Sequence, residues 1–428
     1  MPTLRSLPIL LRRRTATIAG AILLGIVALV FAKAADTASG LFTLFSQRFP
    51  YAPLIVTPLG LGGIVALTRR YYPLARGSGI PQVIVGCEDA RHAVGRGLIS
   101  IPTAAFKIVM TVAALLVGAS VGREGPTVQV SASIMAMAHR LARIDLSAAV
   151  VIAGGAAGVS AAFNTPLAGV AFAIEELAAS YHQRLALLTM AAVLISGMVS
   201  MGLAGDYIYF GSMRQFIPFV SSLMIAPIAG IGGGIAGGIF SLIALHFGKT
   251  SLRPIAILRA YPVWFACGCG LMLAGLGLAT HGATWGAGYE TARQLVESVH
   301  QPLWFGPAKF AATLLTMLSG TPGGIFAPSL ATGAGFGNLI AVLFPNEPLG
   351  PIVLLGMIGY FVGVVRAPLT AVLIISEMTD SRALVLPFLI SALLADGVSS
   401  IICTERLYHG LAKAFAEPVD RLEADEGL

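Results

Sequence analysis

Residues 107–126 read KIVMTVAALLVGASVGREGP, and residues 309–328 read KFAATLLTMLSGTPGGIFAP. At an offset of 202 residues they pair Lys107 with Lys309, Thr111 with Thr313 and Leu116 with Leu318. Gly118 meets Gly320, Gly122 meets Gly324 and Pro126 meets Pro328. The same offset, with no gap, carries Gly154 onto Gly356, Pro166 onto Pro368, Leu167 onto Leu369 and Glu175 onto Glu377. One offset held over that length marks two copies of a single unit. The expected division is an N-terminal cytoplasmic segment over 1–14, a first membrane repeat over 15–205, a second over 206–410 and a tail over 411–428.

Composition says where such a unit lives. Of the 428 residues, 56% are hydrophobic and only 11% charged, and the mean hydropathy is +0.85. Soluble domains carry about 25% charged residues. A disordered chain, a nucleic-acid-binding domain and an ordinary solvated enzyme are excluded, leaving a polytopic membrane protein. Apolar stretches run from 15–34 and 52–68 through 100–120, 126–138, 148–178, 185–205, 217–246, 254–280, 308–320, 327–344 and 350–378 to 384–403. Some are shorter than the roughly 20 residues a plain crossing needs. Others hold two helices, broken at Asn164-Thr165-Pro166 and at Arg366-Ala367-Pro368. Irregular backbone at membrane depth is tolerated only where protein or a wet cavity surrounds it, as in transporters and channels.

The net charge of +7 marks sidedness and is no nucleic-acid footprint. Arg5, Arg12, Arg13 and Arg14 precede the first apolar run, and Arg69, Arg70 and Arg76 follow the second. In the second half the basic residues Lys249, Arg253 and Arg259 fall between the corresponding spans. If basic ends face the cytoplasm in both halves, one half is upside down relative to the other. The expected fold class is therefore an all-α polytopic membrane protein of two inverted-topology halves, built from broken and tilted transmembrane helices. The run Thr15 to Ala34 also resembles a signal peptide, with Ala32-Lys33-Ala34 as a cleavage site. Its long apolar core reads instead as an uncleaved first span, and the acidic tail from Glu417 to Leu428 as a mobile end.

Three Gly/Pro motifs interrupt the apolar background: GSGIP at 77–81, GREGP at 122–126 and GGIFAP at 323–328. Glycines permit close backbone approach, and a proline suits the first turn of a helix. A helix N-terminus presents free N–H groups at the positive end of its dipole, which favours an anion. A lone motif of this kind reads as a tight turn; three, two of them repeat mates facing across a pseudo-twofold axis, read as an anion site. Partial charges bind weakly and reversibly, as conduction or exchange requires.

Glu124 lies inside GREGP, amid apolar sequence. A carboxylate at membrane depth costs about 2.5–3.5 kcal/mol, so such a group is functional by default. The plainer alternative is an ion pair with Arg123, although neighbours on a helix point to different faces. Beside an anion site, a carboxylate can occupy that site itself and swing away when protonated. Glu175 recurs as Glu377, which favours a structural role, whereas Glu176 aligns with Met378 and belongs to the first half alone. Lys107 and Lys309 recur together, and a structural role at helix ends is at least as good a reading as anion attraction. The four cysteines, Cys87, Cys267, Cys269 and Cys403, read as core residues. The seven histidines show no metal-ligand spacing, and neither a Ser-His-Asp arrangement nor HExxH appears. No metal or catalytic centre is expected.

These motifs, with GGAAGVSAAFNTPLAGVAFAIEEL over 154–177 and RAPLTAVLIISEMTD over 366–380, closely resemble the CLC family of chloride channels and proton-coupled chloride exchangers. The resemblance covers nearly the whole chain. It implies a homodimer in which each subunit holds its own pore between inverted halves. By the same resemblance Ser78, in the loop shared with Gly79 and Ile80, is the inner serine that coordinates the central anion. Glu124 is the external gating glutamate, and the backbone N–H groups of Ile325 and Phe326 complete the central site. Tyr408, in Arg406-Leu407-Tyr408, is the inner-gate tyrosine. Glu176 matches the internal proton-transfer glutamate of exchangers, which channel members usually lack. Ser78 also matches chloride-preferring members, where nitrate-preferring ones tend to carry proline and fluoride exporters asparagine.

Gln82 departs from the family, which often has Glu immediately after GSGIP, and the short tail implies no paired regulatory domains. The functional expectation is chloride/proton exchange, with chloride as the bound substrate and no cofactor. A passive chloride channel of the same fold is the alternative, and a membrane-embedded enzyme the remotest one. The expected partners are chloride, protons, the lipid bilayer and a second copy of the chain, with no nucleic acid. The expected location is a bacterial inner membrane.

Overall fold

A computed structural model describes residues 9–177, 183–205, 210–211, 215, 217–250, 253–379, 381 and 384–416. In the first half, the long pieces are α1 (Ile9–Arg48) and α2 (Pro53–Tyr71), followed by the short α3 (Ile80–Glu88) and α4 (Ala90–Gly95). Then come α5 (Ile101–Leu116), α6 (Glu124–Leu141), α7 (Ala148–Phe163), α8 (Pro166–Phe172), a π-helical turn over Ala173–Leu177 and α9 (Gln183–Ala204). The second half opens with α10 (Phe219–Lys249), α11 (Arg253–Ala260), α12 (Pro262–Ala279) and α13 (Tyr289–Val296). It continues with α14 (Phe305–Leu318), α15 (Phe326–Ala341), α16 (Leu349–Val365), α17 (Pro368–Thr379), α18 (Val385–Ile402) and α19 (Leu407–Ala416). Four of these, α1, α10, α12 and α18, are long and apolar enough to cross a membrane unaided. Among the shorter apolar helices, α7 and α16 are each followed across a proline break by a further helix, α8 and α17.

The breaks fall where proline demands them. The residue before proline is driven out of the α region, and α7 and α16 each end one residue earlier still, at Asn164 and Arg366. Both adopt the left-handed conformation, φ 59° and 61°, which closes a helix without glycine. The stretch 254–280 also divides before a proline, at Tyr261-Pro262, but without a left-handed residue, Tyr261 having φ −118°, and α10 runs unbroken through Pro227.

The first helix corrects one expectation. Instead of a span ending near Ala34, α1 continues to Arg48, and the chain is already helical at Ile9, inside the supposed lead-in. The first proline downstream is Pro50, so no residue stops the helix earlier. Its one acidic interruption, Asp36, is met by the Arg123 guanidinium at 2.6 Å. Arg12 ties the other end down, donating from Nε to Ala142 O at 3.0 Å.

Symmetry between the halves is visible at atomic level. Gly122 donates its N–H to Gly324 O at 2.7 Å, and Gly324 returns the bond to Gly122 O at 2.8 Å. This antiparallel bridge joins two residues related by the 202-residue offset, so the pseudo-twofold axis passes through it. Away from the axis, Glu175 accepts from the N–H groups of Leu369 and Thr370 at 2.8 and 2.7 Å. Glu377 accepts from Leu167 and Ala168 at 3.2 and 3.1 Å. Each half thus caps a helix of the other with an equivalent carboxylate, satisfying N–H groups that a helix start leaves unpaired. The crossing of α6 on α7 is likewise repeated by α15 on α16. At both crossings a small residue is needed: a Cβ on Gly154 would lie 2.8 Å from Ala132 Cα, and one on Gly356 2.5 Å from Gly337 Cα.

Orientation follows from where the basic residues meet. First-half Arg76 stacks its guanidinium over the Phe415 ring of α19, and Arg96 donates to Phe415 O at 3.0 Å. Second-half Lys249 pairs with Glu405, which also takes Lys413 of α19 at 2.6 Å. These two lysines hold the Glu405 carboxyl below the usual range. The end of α2 and the end of α10 therefore share one basic face, although α2 is the second span of its half and α10 the first of the other. The halves are inverted, and that face is the cytoplasmic one by charge.

Candidate functional site

The three Gly/Pro motifs converge on the axis. Gly79 precedes α3 with φ +106°, a left-handed conformation that a side chain resists. A Cβ there would also lie 2.9 Å from Gly125 O and 3.0 Å from Gln129 Cβ. Gly323 donates its N–H to Gly77 O at 3.1 Å, which fixes GGIFAP against the loop before α3. Lys107 is fully buried beneath that loop and donates from Nζ to Gly77 O at 3.0 Å and Arg76 O at 3.3 Å. Lys309 does the same for its own half, donating to Thr284 O at 2.9 Å and Gly286 O at 2.6 Å. Gln82 spends its amide on the same first loop, donating to Leu74 O and Arg76 O at 3.1 and 2.8 Å.

This scaffold brings the expected site residues together. Ser78 is buried against Gly125, and its Oγ has no hydrogen-bond partner within the protein. Ile80 opens α3 and is fully enclosed. Ile325 caps α15, and Phe326 forms its first residue, so their N–H groups belong to the unpaired set at that helix start. The Phe326 ring is held by Phe361 at 5.0 Å, by Tyr408 at 5.9 Å and by Phe163 and Phe172, each at 6.0 Å between centroids. Tyr408, in the first turn of α19, is fully buried, and its hydroxyl is likewise unpartnered. Burying a hydroxyl without a hydrogen bond costs about 1–3 kcal/mol. Two such hydroxyls beside helix N-termini mark a place built to receive an acceptor.

A carboxylate already stands at its edge. Glu124 opens α6 and is wholly buried. Oε1 accepts a hydrogen bond from the Tyr289 hydroxyl. Oε2 lies where a Cβ on Gly122 would collide with it, and the carboxyl as a whole faces the Ala327 N–H at the start of α15. Arg123 points elsewhere: Nη1 donates to Ala32 O at 2.5 Å and to Asp36, and its cation lies 5.7 Å from the Tyr289 ring centre. The ion-pair alternative for Glu124 thus gives way to a pairing of Arg123 with α1.

Glu175 and Glu176 occupy the π-helical turn that ends α8. Such a turn changes the angular spacing of neighbours and is frequent at functional sites. Glu175 turns to cap α17, while the Glu176 side chain is entirely buried and neither oxygen has a hydrogen-bond partner within the protein. His409 Nδ1 lies 3.4 Å from Glu176 Oε1. Among the described residues no group of histidine, cysteine and acidic side chains is placed to hold a metal ion.

Two residues escaped the sequence reading. Tyr289 lies in Gly286-Ala287-Gly288-Tyr289, the counterpart of Gly77-Ser78-Gly79-Ile80, but at an offset of 209 instead of 202. Gly77 and Gly286 share positive φ values of 66° and 63°, and Gly79 and Gly288 values of 106° and 85°. The paired Gly-x-Gly spacing was the available signal. His409 had none beyond standing next to Tyr408.

Inverted halves of broken helices, meeting at glycine-rich helix starts around buried carboxylates, define a multi-pass membrane protein of the ion-transporting kind. A family model described as voltage gated chloride channel matches residues 59–400, and the chain belongs to that family, the CLC family. Among its relatives, the H(+)/Cl(-) exchange transporter ClcA of Salmonella typhimurium is 30% identical over 401 residues, covering 87% of this chain and 81% of that one. ClcA of Yersinia pestis is 31% identical over 379 residues, covering 82% and 75%. A slow cyanobacterial Cl-/H+ antiporter of known structure superposes with a TM-score of 0.79 at 26% identity, covering 95% and 98%. A CLC-type fluoride/proton antiporter shares the fold, with a TM-score of 0.77 at 22% identity over 92% and 96%.

Proposed function

We propose that this integral membrane protein exchanges chloride for protons. The observation that carries the reading is a pair of buried carboxylates, Glu124 and Glu176, both near enough to Tyr408 to act on it electrostatically, together with the unpartnered hydroxyls of Ser78 and Tyr408. In this reading chloride is coordinated by those hydroxyls and by the N–H groups of Ile325 and Phe326, with the Gly79–Ile80 turn closing the inner side. Ionised Glu124 competes for the same helix start, and protonation removes its charge and lets it swing out. Glu176 supplies that proton from the cytoplasmic side. A passive channel needs a gate but no second buried carboxylate, so Glu176 favours exchange. Relatives described as exchangers support it further. No cofactor has a role in this cycle, and no step makes or breaks a covalent bond other than to hydrogen.

The test is flux in liposomes, followed with paired chloride and proton electrodes. A chloride gradient should drive protons against their own gradient. Glu176→Ala should abolish proton movement while chloride still flows. A Glu176→Ala variant that pumps protons as well as wild type would sink the assignment. The proposal includes a homodimer, as the family resemblance implies, and a bacterial inner membrane, as the bacterial relatives support. Light scattering on the detergent-solubilised protein checks the dimer.

A further inference from the structure

Glu176 has no surface of its own, and protons must reach it through a neighbour. His409 is the side chain that spans the gap: 43% of it is exposed, whereas none of Glu176 is. Its Nδ1 lies within ion-pair distance of Glu176 Oε1, and a small ring rotation would complete a hydrogen bond. The ring stands on α19, one residue beyond Tyr408, at the basic face assigned to the cytoplasm. We propose that His409 relays protons between the cytoplasmic solution and Glu176, an inference that rests on the exchange reading above.

The transfer balances simply. An imidazolium gives its Nδ1 proton to Glu176 Oε1 and becomes a neutral ring with a carboxylic acid beside it. The neutral ring keeps its Nε2 proton and is bare at Nδ1; it turns Nδ1 toward cytoplasmic water, takes a proton there to become imidazolium again, and turns back to donate once more. Histidine suits this because its ordinary titration range brackets neutral pH.

The charged groups around the ring fit such a role. Glu176 faces it from the π-helical turn, Glu88 from α3 and Arg406 from the start of α19. Glu175, beside Glu176, is engaged with α17, and Arg406 donates to Glu175 O at 3.1 Å. From α10 come His246 and Lys249, the latter held by Glu405 together with Lys413. Arg366 at the end of α16 is bound to Asp396 at 3.0 Å, and Arg76 and Arg96 close on Phe415 at the far end of α19. Lys249, Lys413, Arg366, Arg406, Arg76 and Arg96 are thus each engaged by a partner of their own, which leaves Glu176 and Glu88 as the acidic groups facing the ring.

Liposome fluxes again decide, read as the ratio of proton to chloride movement. His409→Asn should lower that ratio about tenfold, below the roughly 10²–10⁴-fold of a positioned proton-transfer group because water partly replaces the ring. His409→Ala should show the same loss, and imidazole added on the cytoplasmic side should restore its proton flux. A wild type that moves no protons overturns the exchange reading and this inference with it. A pumping wild type whose His409 variants keep the same ratio overturns the inference alone. Loss of both fluxes that imidazole fails to relieve gives His409 a structural role and likewise overturns it.

Discussion

Gly122 and Gly324 trade hydrogen bonds across the axis, but two residues further on the halves differ: Glu124 opens α6, whereas Phe326 opens α15. The same contrast recurs elsewhere. Lys107 and Lys309 hold equivalent loops, Asn164 and Arg366 close equivalent helices, and Glu175 and Glu377 cap each other's halves. Glu176 faces Met378 in the repeat, and Ile80 faces Tyr289. Residues that obey the repeat hold backbone in place. Those that break it put carboxylates, hydroxyls and aromatic rings into the cleft. A twofold scaffold supplies helix starts from both sides of the membrane, and a directional proton path needs the symmetry to be broken on top of it.

Glu175 and Glu377 test the symmetric part. Alanine at either leaves helix N–H groups uncapped in a half-buried setting. We expect losses of about 2–3 kcal/mol, as for charge-assisted hydrogen bonds. Glu175→Ala should be the worse, because its carboxylate also accepts from the Thr370 hydroxyl at 2.7 Å. Thermal denaturation in detergent, followed by the loss of monodisperse protein, reads both. Losses confined to one variant would break the equivalence of the halves.

Gly122 and Gly324 come next, and here equal positions should give unequal results. A Cβ on Gly324 would meet backbone, 2.9 Å from Gly125 N and 3.0 Å from Pro126 Cδ. Gly324→Ala should therefore destabilise by about 1–3 kcal/mol, the usual scale of overpacking. On Gly122 the first obstacle is the mobile end of Glu124, and the next atoms are Pro328 Cδ at 3.2 Å and Ala327 Cβ at 3.3 Å. Gly122→Ala should cost less stability but displace the Glu124 carboxylate, and chloride flux should lose much of its pH dependence. Equal melting losses with unaltered pH dependence would contradict this placement of Glu124.

How far the sequence could be read follows the same division. Lys107 with Lys309, Gly122 with Gly324 and Glu175 with Glu377 were visible because the structural constraint at each pair is the same twice, so one offset finds them all. The inversion was legible too, since Arg76 and Lys249 mark the same membrane face. The end of α1 was not, because hydropathy falls at Lys33 and Asp36 while the helix continues, sustained by the Arg123 ion pair with Asp36 some 87 residues away in sequence. Short helices such as α3, α13 and α19 bury too few residues to raise a hydropathy signal, yet they carry Ser78's loop, Tyr289 and Tyr408. Contacts such as His409 with Glu176 join residues hundreds of positions apart and leave no local pattern.

Tyr289 gives the finest probe, since it adds a hydroxyl where the other half has the methyl groups of Ile80. That hydroxyl is the side-chain donor to Glu124 among the described residues. Phenylalanine keeps the ring against Phe210, 5.4 Å away, and removes only the hydrogen bond. The bond holds Glu124 in the position for which chloride competes, so its loss should favour the anion. A net hydrogen bond to a charged group contributes about 1.5–3 kcal/mol, of which part returns once the freed carboxylate finds water. We therefore expect Tyr289→Phe to tighten chloride binding by about tenfold or less, as about 1.4 kcal/mol would give. Isothermal titration with chloride measures it directly. Weaker binding would mean that Tyr289 serves the anion and not the carboxylate, and the asymmetry between α3 and α13 would then need a different reason.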